Sequence, residues 1–209
     1  MRLPLAELFQ FVIAISKRYN IDESHSLGHS MRVLHNADLI AREESKWIQK
    51  PNVYMDQRPI IQAAAILHDT CDKKYREEKP ALNEVAELLT SYMSPVEINA
   101  TMEIIGKMSY STVKKNGMPD LQEYQFAFNV VREADLLDAY DFDRSMLYHM
   151  HKNEKRLEEA YKDACELFDN RVLRHDKDGL LLTRYARSQH LDLSEKAIRR
   201  MYHWKRILK

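Results

Sequence analysis

Residues 60–70, IIQAAAILHDT, decide the fold. Apart from Gln62, positions 60–67 are apolar and include three consecutive alanines, the strongest helix former. A helix that is apolar all round is buried, so this segment predicts a central helix. It ends at His68 and Asp69, an imidazole and a carboxylate that need partners when they are buried. The stretch therefore predicts a helical core with polar chemistry at one helix end.

The composition of the whole chain agrees with a helical fold. Of the 209 residues, 44% are hydrophobic and 31% are charged, and only four are glycine. This balance suits long helices better than a turn-rich sheet. A chain of this length is near the upper limit for one hydrophobic core. We therefore predict an all-α protein of eight to ten helices in a single domain over 1–209, with its core at about 20–145 and residues 146–209 covering or capping it.

Apolar residues at helical spacing and capping residues place the helices along the chain. The predicted helices span 4–19, 27–45, 60–70, 81–93, 95–108, 121–142 and 143–168, with one or two more in 180–208 that break near 190–194. Residues 49–59 contain two prolines and are predicted to be a connector, 71–80 a charged loop, and 109–120 the longest turn-like stretch.

Charge and cysteine content restrict the partners and the compartment. Thirty-two basic and thirty-two acidic residues cancel, so no overall field attracts the chain to nucleic acid or to an anionic membrane. No segment approaches the roughly 18 uninterrupted apolar residues of a membrane span. The two cysteines, Cys71 and Cys165, form no CxxC pair. We expect a cytoplasmic protein with no membrane or polymeric nucleic-acid partner, and surface apolar residues leave a homodimer open.

Histidine and aspartate in three places can hold a metal. The stretch 25–35, HSLGHSMRVLH, contains three of the nine histidines, including His29. His68 and Asp69 close the apolar helix, and Asp135 interrupts an apolar helical register. Each also has an ordinary interpretation as a surface residue, a core residue or a helix cap. Together they offer two nitrogens and two oxygens, a mixed set that suits one divalent ion such as Mn, Fe, Ni, Co, Mg or Zn.

The segments HSLGHSMRV (25–33), ILHDTCDKKY (66–75) and EADLLDA (133–139) resemble the H…HD…D signature of the HD-domain metal-dependent phosphohydrolases. This family has an all-helical core, and the likeness covers roughly residues 20–145. The closest likeness is to small stand-alone bacterial members, some of them nucleotide pyrophosphohydrolases. The resemblance selects His29 over the neighbouring histidines, and implies His68, Asp69 and Asp135 as the other ligands. No histidine lies between His68 and Asp135, so we expect one metal ion.

The chain departs from the family pattern beside these ligands. Ser26 replaces an acidic residue, Leu136 replaces an arginine, and YDFDR (140–144) replaces a run of small residues. We therefore expect a rebuilt pocket wall near Asp135.

The resemblance implies hydrolysis of a phosphomonoester, phosphodiester or pyrophosphate bond in a nucleotide or similar small phosphorylated metabolite, by attack of a metal-bound water. The catalytic candidates are Asp69, Asp72 and Lys73, with Asp72 as the base. Lys73, or else Lys74, is expected to neutralise a substrate phosphate.

Further substrate-binding candidates lie around these residues. His25 is expected at the mouth of the site, and Arg32 as a second phosphate clamp or a buried partner of an acid. Asp138 is expected either to bind substrate or to form a hydrogen bond that supports a metal ligand or the base. Lys107 and Ser109 are weaker phosphate candidates, and a capping C-terminal region is expected to add the residues Tyr148, His149, His151 and Lys152.

Two alternatives to an enzyme follow from the same residues. The altered wall and the charged helix after Asp143 fit a non-catalytic HD-fold sensor that binds a nucleotide or metal. A helical structural protein with incidental histidines predicts that no metal binds at all.

Overall fold

A computed structural model describes residues 3–48, 50 and 52–209. Over these residues the chain forms ten α-helices, four short 3₁₀ helices and no strand, which confirms the all-α prediction. The α-helices are α1 Leu5–Tyr19, α2 Leu27–Ser45, α3 Val53–Leu67, α4 Glu78–Leu89, α5 Pro95–Lys107, α6 Tyr110–Asn116, α7 Gln125–Asp138, α8 Phe142–Lys152, α9 Leu157–Asn170 and α10 Arg184–Ile207. The 3₁₀ helices are Glu23–His25, His68–Cys71, Gln122–Tyr124 and Val172–Arg174.

The central helix is α3, as its composition predicts. All residues from Ala63 to Leu67 are fully buried, and α3 packs against α2, α5 and α7. The alanine run lets these neighbouring helices approach closely because it adds little side-chain volume. This packing holds the end of α3, and with it His68, between α2 and α7.

The structure corrects the predicted connector at 49–59. Residues 49 and 51 lie outside the described residues, but α3 already begins at Val53 and continues through Pro59. The Gln57 amide donates to the carbonyl of Glu123 (2.6 Å), and its oxygen accepts from the backbone of Ala127 (3.1 Å). These hydrogen bonds anchor the first turns of α3 to the start of α7 and offset the backbone hydrogen bond that Pro59 removes.

Several other boundaries also differ from the predicted ones. The helix predicted at 81–93 is α4, which begins at Glu78 within the predicted loop 71–80 and ends at Leu89. Part of the predicted turn at 109–120 is α6, which Ser109 caps with its side chain. The predicted helix 121–142 stops at Asp138, and Asp141 caps α8. The region 143–168 is divided between α8 and α9, with Glu154 in the left-handed conformation between them. No break occurs near 190–194, where α10 is continuous.

Two apolar clusters form the interior. The larger one joins residues of α1 to α7 with Leu181 and Ala186. The smaller one consists of the buried residues Tyr140, Phe142, Met146, Ala164, Phe168, Val172 and Ala197. Leu193 of α10 packs against both clusters. α8 and α9 therefore have apolar packing of their own, opposite the ends of α3 and α7.

No α-helix in the described part of the chain combines the length and the apolar character that crossing a bilayer requires.

Candidate metal centre

Three helices and one 3₁₀ helix bring the four predicted ligands together. His29 lies near the start of α2, His68 follows α3, Asp69 is in the 3₁₀ helix His68–Cys71, and Asp135 is in the last turn of α7. Nε2 of His29 is 3.1 Å from Nε2 of His68 and 3.1 Å from Oδ2 of Asp69. It is 3.4 Å from Oδ1 of Asp135. Nε2 of His29 therefore lies within 3.4 Å of one atom from each of the other three residues, and His29, His68 and Asp135 form a group that could hold a metal ion.

Hydrogen bonds on the far side of each imidazole fix its orientation. Nδ1 of His29 is 2.7 Å from Oδ2 of Asp138, and Nδ1 of His68 is 3.1 Å from the carbonyl oxygen of Ala65. Both partners are acceptors, so Nδ1 carries the proton and Nε2 is directed to the other candidate ligands. Metal-binding histidines are held by this kind of second hydrogen bond.

The spacing of these atoms fits a cation. Two ligands of one first-row ion, each about 2.1 Å from it, lie about 3.0 to 3.4 Å apart at neighbouring coordination positions. The ligand atoms of His29, His68 and Asp135 all lie within 4.8 Å of one another. Oδ2 of Asp69 is buried and makes no hydrogen bond of good geometry among the described residues, although Nε2 of His29 lies 3.1 Å away. An unpartnered buried carboxylate oxygen is costly, and a bound cation would relieve it.

The electrostatics of the centre favour a positive charge. Burial and the nearby Arg144 cation lower the pKa of His29, but the carboxylates of Asp69, Asp135 and Asp138 outweigh both and raise it to about 10. Burial raises the pKa of Asp69 and Asp135, yet the neighbouring histidines hold both well below their usual range. In the metal-free protein the proton on His29 therefore balances the carboxylates. A divalent ion would displace this proton.

The centre opens into a cavity of about 710 Å³. His68, Asp69 and Asp135 lie in its wall, and four cationic residues also line it: Lys73, Lys74, Arg144 and Arg171. Apolar side chains form another part, among them Ile105, Met108, Leu136, Leu167 and Val172. Most small-molecule sites have volumes of about 300 to 1,000 Å³. The cavity has the size of such a site, and its wall carries cations as well as carboxylates, among them Asp72, Glu78, Asp141, Asp163 and Glu166.

The comparisons with known proteins support the fold and give no function. No family model matches the chain, and no curated protein matches it. The crystal structure of a structural-genomics target from Lactobacillus plantarum is similar, with a TM-score of 0.70 and 20% sequence identity. The match covers 98% of this chain and 96% of that chain. The likeness shows that the whole fold recurs in another protein.

Arg144 is a site residue that sequence reasoning missed. Its Nη2 is 3.3 Å from Nε2 of His29, and its Nε donates to the carbonyl of Ser24 (2.5 Å). The side chain is 13% exposed. Arg144 is the last residue of the segment YDFDR (140–144), so this segment brings a cation to the centre.

Arg171, at the end of α9, is a second missed cation. Its guanidinium lies 3.9 Å from the centroid of the Tyr110 ring, a cation–π contact. Its Nε is buried and has no acceptor in the described part of the chain. Arg171 therefore keeps hydrogen-bonding capacity for an anion in the cavity.

The predicted catalytic pair Asp72 and Lys73 lines the cavity. Oδ1 of Asp72 accepts from the backbone of Lys74 (2.8 Å), and Oδ2 is 3.0 Å from Lys74 Nζ. Both oxygens of Asp72 are thus engaged with Lys74, and Asp72 fixes the position of that lysine. Lys73 is exposed at the cavity wall.

Arg32 and Asp138 lie behind the metal centre, away from this cavity. Nε of Arg32 donates to Oδ1 of Asp138 (2.6 Å), and Nη2 donates to Oδ2 (3.1 Å). The two residues line a separate cavity of about 530 Å³, which His35 also borders. Asp138 was predicted either to bind substrate or to support a ligand or the base. Its contact with Nδ1 of His29 fits the supporting role. Arg32 is the partner of an acid.

Other candidates divide between the cavity and the surface. His25, Ser109, Tyr148 and His149 line the cavity. His151 and Lys152 are not among its lining residues; Lys152 lies over the Tyr75 ring, 4.7 Å from its centroid. Lys107 pairs with Glu103 on the surface (2.8 Å).

Proposed function

We propose that the protein is a metal-dependent phosphohydrolase of the HD-domain type, acting on a nucleotide or a similar small phosphorylated metabolite. The observation that carries this proposal is the convergence of His29, His68, Asp69 and Asp135 beside a cavity lined by four cationic side chains. Two nitrogens and two oxygens form a ligand set for a first-row divalent ion or Mg²⁺.

A divalent ion in this position supplies a Lewis acid that polarises a phosphoryl oxygen and lowers the pKa of water. The protein's residues bind and orient the substrate. Arg144 is closest to the ligands, because its Nη2 lies 3.3 Å from Nε2 of His29. A guanidinium binds two phosphoryl oxygens side by side, so Arg144 is suited to hold the group that reacts.

The other cations extend the phosphate-binding wall. Lys74 is held by Asp72, and Arg171 has a free Nε. Neutralising a phosphoryl group at several points stabilises the charge that develops during transfer. The apolar wall with Ile105, Met108 and Leu167 suits the uncharged part of a metabolite such as a nucleobase.

A screen of phosphorylated compounds with Mn²⁺, Co²⁺, Ni²⁺ or Mg²⁺ tests the proposal by measuring released phosphate or pyrophosphate. We expect turnover with at least one nucleotide in the wild type and at least a hundredfold less in Asp69→Ala. A matched control is Asp120→Ala, since Asp120 is absent from the cavity wall. Turnover that is unchanged in Asp69→Ala would contradict the proposal.

A non-catalytic sensor is the second candidate function. Each oxygen of Asp72, the predicted base, already has one contact with Lys74, which leaves fewer lone pairs for a reacting water and favours this candidate. The sensor predicts tight nucleotide binding to metal-loaded protein without hydrolysis, which isothermal titration calorimetry and the same phosphate assay distinguish from the enzyme.

The proposal includes a reducing, cytoplasmic location. Both cysteines are free, with Cys71 buried and Cys165 half-buried. It also includes a small-molecule substrate and no polymeric one, since the basic and acidic residues of the chain cancel and the cavity has the size of a small-molecule site.

A further inference from the structure

One segment of the chain is strongly basic, although the charges of the whole chain cancel. Residues 196–209 contain no aspartate or glutamate and six lysines and arginines: Lys196, Arg199, Arg200, Lys205, Arg206 and Lys209. A local concentration of one charge attracts a partner of the opposite charge even where the net charge is zero. The expectation of no membrane partner follows from the net charge, so it does not extend to this segment.

Most of this segment lies in α10, whose inner side packs against the smaller apolar cluster. Ala197 is buried in that cluster, and Met201 and Trp204 pack against it. Ile198 and Tyr202 are four residues apart, so they share a different face of the helix. Ile198 is 39% exposed and Tyr202 is 64% exposed. α10 therefore presents apolar side chains to solvent as well as to the interior.

Cations extend and border this exposed face. Lys205 follows Tyr202 by three residues and continues the face, while Arg199 and Arg206 are seven residues apart and lie along its edge. Both Lys205 and Arg206 are exposed. Together Ile198, Arg199, Tyr202, Lys205 and Arg206 form the basic face of α10.

The strongest charges of the basic face are available to a partner. Among the described residues, the ion pairs of α10 join Lys196 to Asp192, Arg199 to Glu195 and Arg200 to Asp143. Lys205 and Arg206 take part in none of these pairs. The side chain of Arg199 is still 77% exposed beside Glu195. An anion would therefore meet at least two cations whose charge is not already balanced.

The combination of side chains fits the surface of an anionic bilayer. Helices that lie in a membrane interface place aliphatic side chains among the first acyl carbons and lysines and arginines at the headgroups. Tyrosine is favoured at the headgroup level because its ring is apolar and its hydroxyl is polar. Each lysine or arginine near an anionic surface strengthens binding by about fivefold. The basic face of α10 has all three kinds of side chain within three turns of helix.

Two other occupants fit this face less well. A nucleic-acid backbone would pair with the cations, but Ile198 would gain little from contact with charged phosphates. A second copy of the chain would place cations against cations if the two basic faces met, and like charges across an interface repel each other.

We propose that the basic face of α10 binds an anionic phospholipid bilayer peripherally, with Ile198 and Tyr202 among the headgroups and Arg199, Lys205 and Arg206 at lipid phosphates and carboxylates. The inference goes beyond the proposed hydrolytic function and is independent of it, since none of these residues lines the cavity. It agrees with the proposed cytoplasmic location because the cytoplasmic leaflet is negatively charged.

Sedimentation of the full chain with lipid vesicles tests the electrostatic part. We expect the wild type to sediment with phosphatidylcholine vesicles that contain about 30% phosphatidylserine, and to stay in solution with phosphatidylcholine alone. Lys205→Gln combined with Arg206→Gln should weaken binding by about 25-fold, since two cations are lost. The matched control is Lys114→Gln with Lys115→Gln, which removes the same charge from exposed positions on α6 and should bind like the wild type.

A second double variant tests the apolar part at constant charge. Ile198→Ser with Tyr202→Ser should weaken vesicle binding by about tenfold, because little apolar surface then remains to enter the interface. Met55→Ser with Val96→Ser is its control, since these side chains are 58% and 60% exposed on other helices. All substituted positions are at least 39% exposed or lie on the outer side of a helix, and circular dichroism checks that each variant is folded.

Several results would overturn the inference. They include no sedimentation of the wild type with phosphatidylserine vesicles, or equal losses in a variant and its control. Tighter binding to a DNA oligonucleotide than to vesicles, lost in the Lys205 and Arg206 variant, would assign the face to nucleic acid instead. A dimer in analytical ultracentrifugation that dissociates in the Ile198 and Tyr202 variant would assign it to a second copy.

Discussion

His29 and His175 are both completely buried, and their surroundings are opposite. His29 lies among Asp69, Asp135 and Asp138, and the carboxylates raise its pKa to about 10. Neither ring nitrogen of His175 has a hydrogen-bond partner among the described residues, and the ring lies edge-on to Tyr140. Burial, with a smaller effect from Arg171, lowers the pKa of His175 to about 3.

The difference shows that burial of a histidine does not by itself indicate a site. An unpartnered buried polar group costs about 1 to 3 kcal/mol and offers no charge to a ligand. A histidine with several carboxylates around it creates a place for a cation. The partners of the ring therefore separate a metal centre from a structural position.

Loss of a ligand tests the comparison most strongly. Asp69→Ala removes the carboxylate with the unpartnered oxygen, so we expect bound metal to fall from about one ion per chain to nearly none. His175→Gln should keep the wild-type metal content. Elemental analysis of dialysed protein measures both, and equal loss in the two variants would break the comparison.

Removing the negative charge of Asp138, the carboxylate that holds His29, is expected to have the next largest effect on metal binding. Asp138→Asn keeps the shape of the side chain but removes the negative acceptor of Nδ1. We expect metal affinity to fall about 10- to 100-fold, the effect typical of such supporting groups. Calorimetric titration of metal-free protein gives the dissociation constants, and an unchanged constant would refute the role of Asp138.

Metal removal should reduce stability only where the ligands are intact. An ion at about 100 times its dissociation constant stabilises the folded state by about 2.7 kcal/mol. In a chain of this size that energy corresponds to a Tm shift of roughly 5 to 11 °C. Thermal unfolding with and without EDTA measures the shift, and Asp69→Ala should not respond to the chelator.

His175 should contribute to acid destabilisation. Its folded pKa of about 3 is below the unfolded value of 6.5, so between these pH values only the unfolded chain takes up its proton. The stability that neutral His175 retains above pH 6.5 is therefore lost progressively as the pH falls to about 3. Urea unfolding of the metal-free proteins should show a shallower acid loss in His175→Phe. Parallel curves for the two proteins would argue against this.

The smallest expected effect is that of His175→Phe on the free energy of unfolding at neutral pH. Phe replaces two unpartnered nitrogens with carbon while keeping an aromatic ring against Tyr140. We expect His175→Phe to raise the free energy of unfolding by about 1 kcal/mol. His175→Leu is a second variant in case the larger ring does not fit, and a loss of stability in both would contradict the cost assigned to the nitrogens.

Sequence reasoning located α2 and the end of α3 well because their apolar residues follow helical spacing. The predicted range 27–45 is the observed Leu27–Ser45. The predicted break at 190–194 was wrong. Ser194 lies within α10, with its Oγ 3.4 Å from Nδ1 of His190, and does not cap a new helix. A side chain that can cap a helix also fits inside one when tertiary packing supports it.

In the site, the four ligand candidates were chosen from the sequence and lie together in the structure. Arg144 and Arg171 were missed because Arg144 lies in a charge-rich helix and Arg171 directly follows one, and in such segments the spacing does not indicate which charge is directed inward. The direction of Arg144 depends on the Asp141 cap and on the carbonyl of Ser24, more than a hundred residues away in the chain. Contacts across such distances are set by packing and have no local pattern.

The smaller apolar cluster packs α8 and α9 together, whereas the candidate ligands lie on α2, at the end of α3 and on α7. Phe142 and Phe168 stack edge to face between α8 and α9, with ring centroids 5.1 Å apart, in a cluster that contains none of the candidate metal ligands. Arg144 and Arg171 project from this separately supported unit to the centre. Substitutions on the cavity side of α8 and α9 can therefore change what the protein accepts while His29, His68, Asp69 and Asp135 stay in place. This part of the cavity wall can therefore vary in sequence separately from the four candidate ligands.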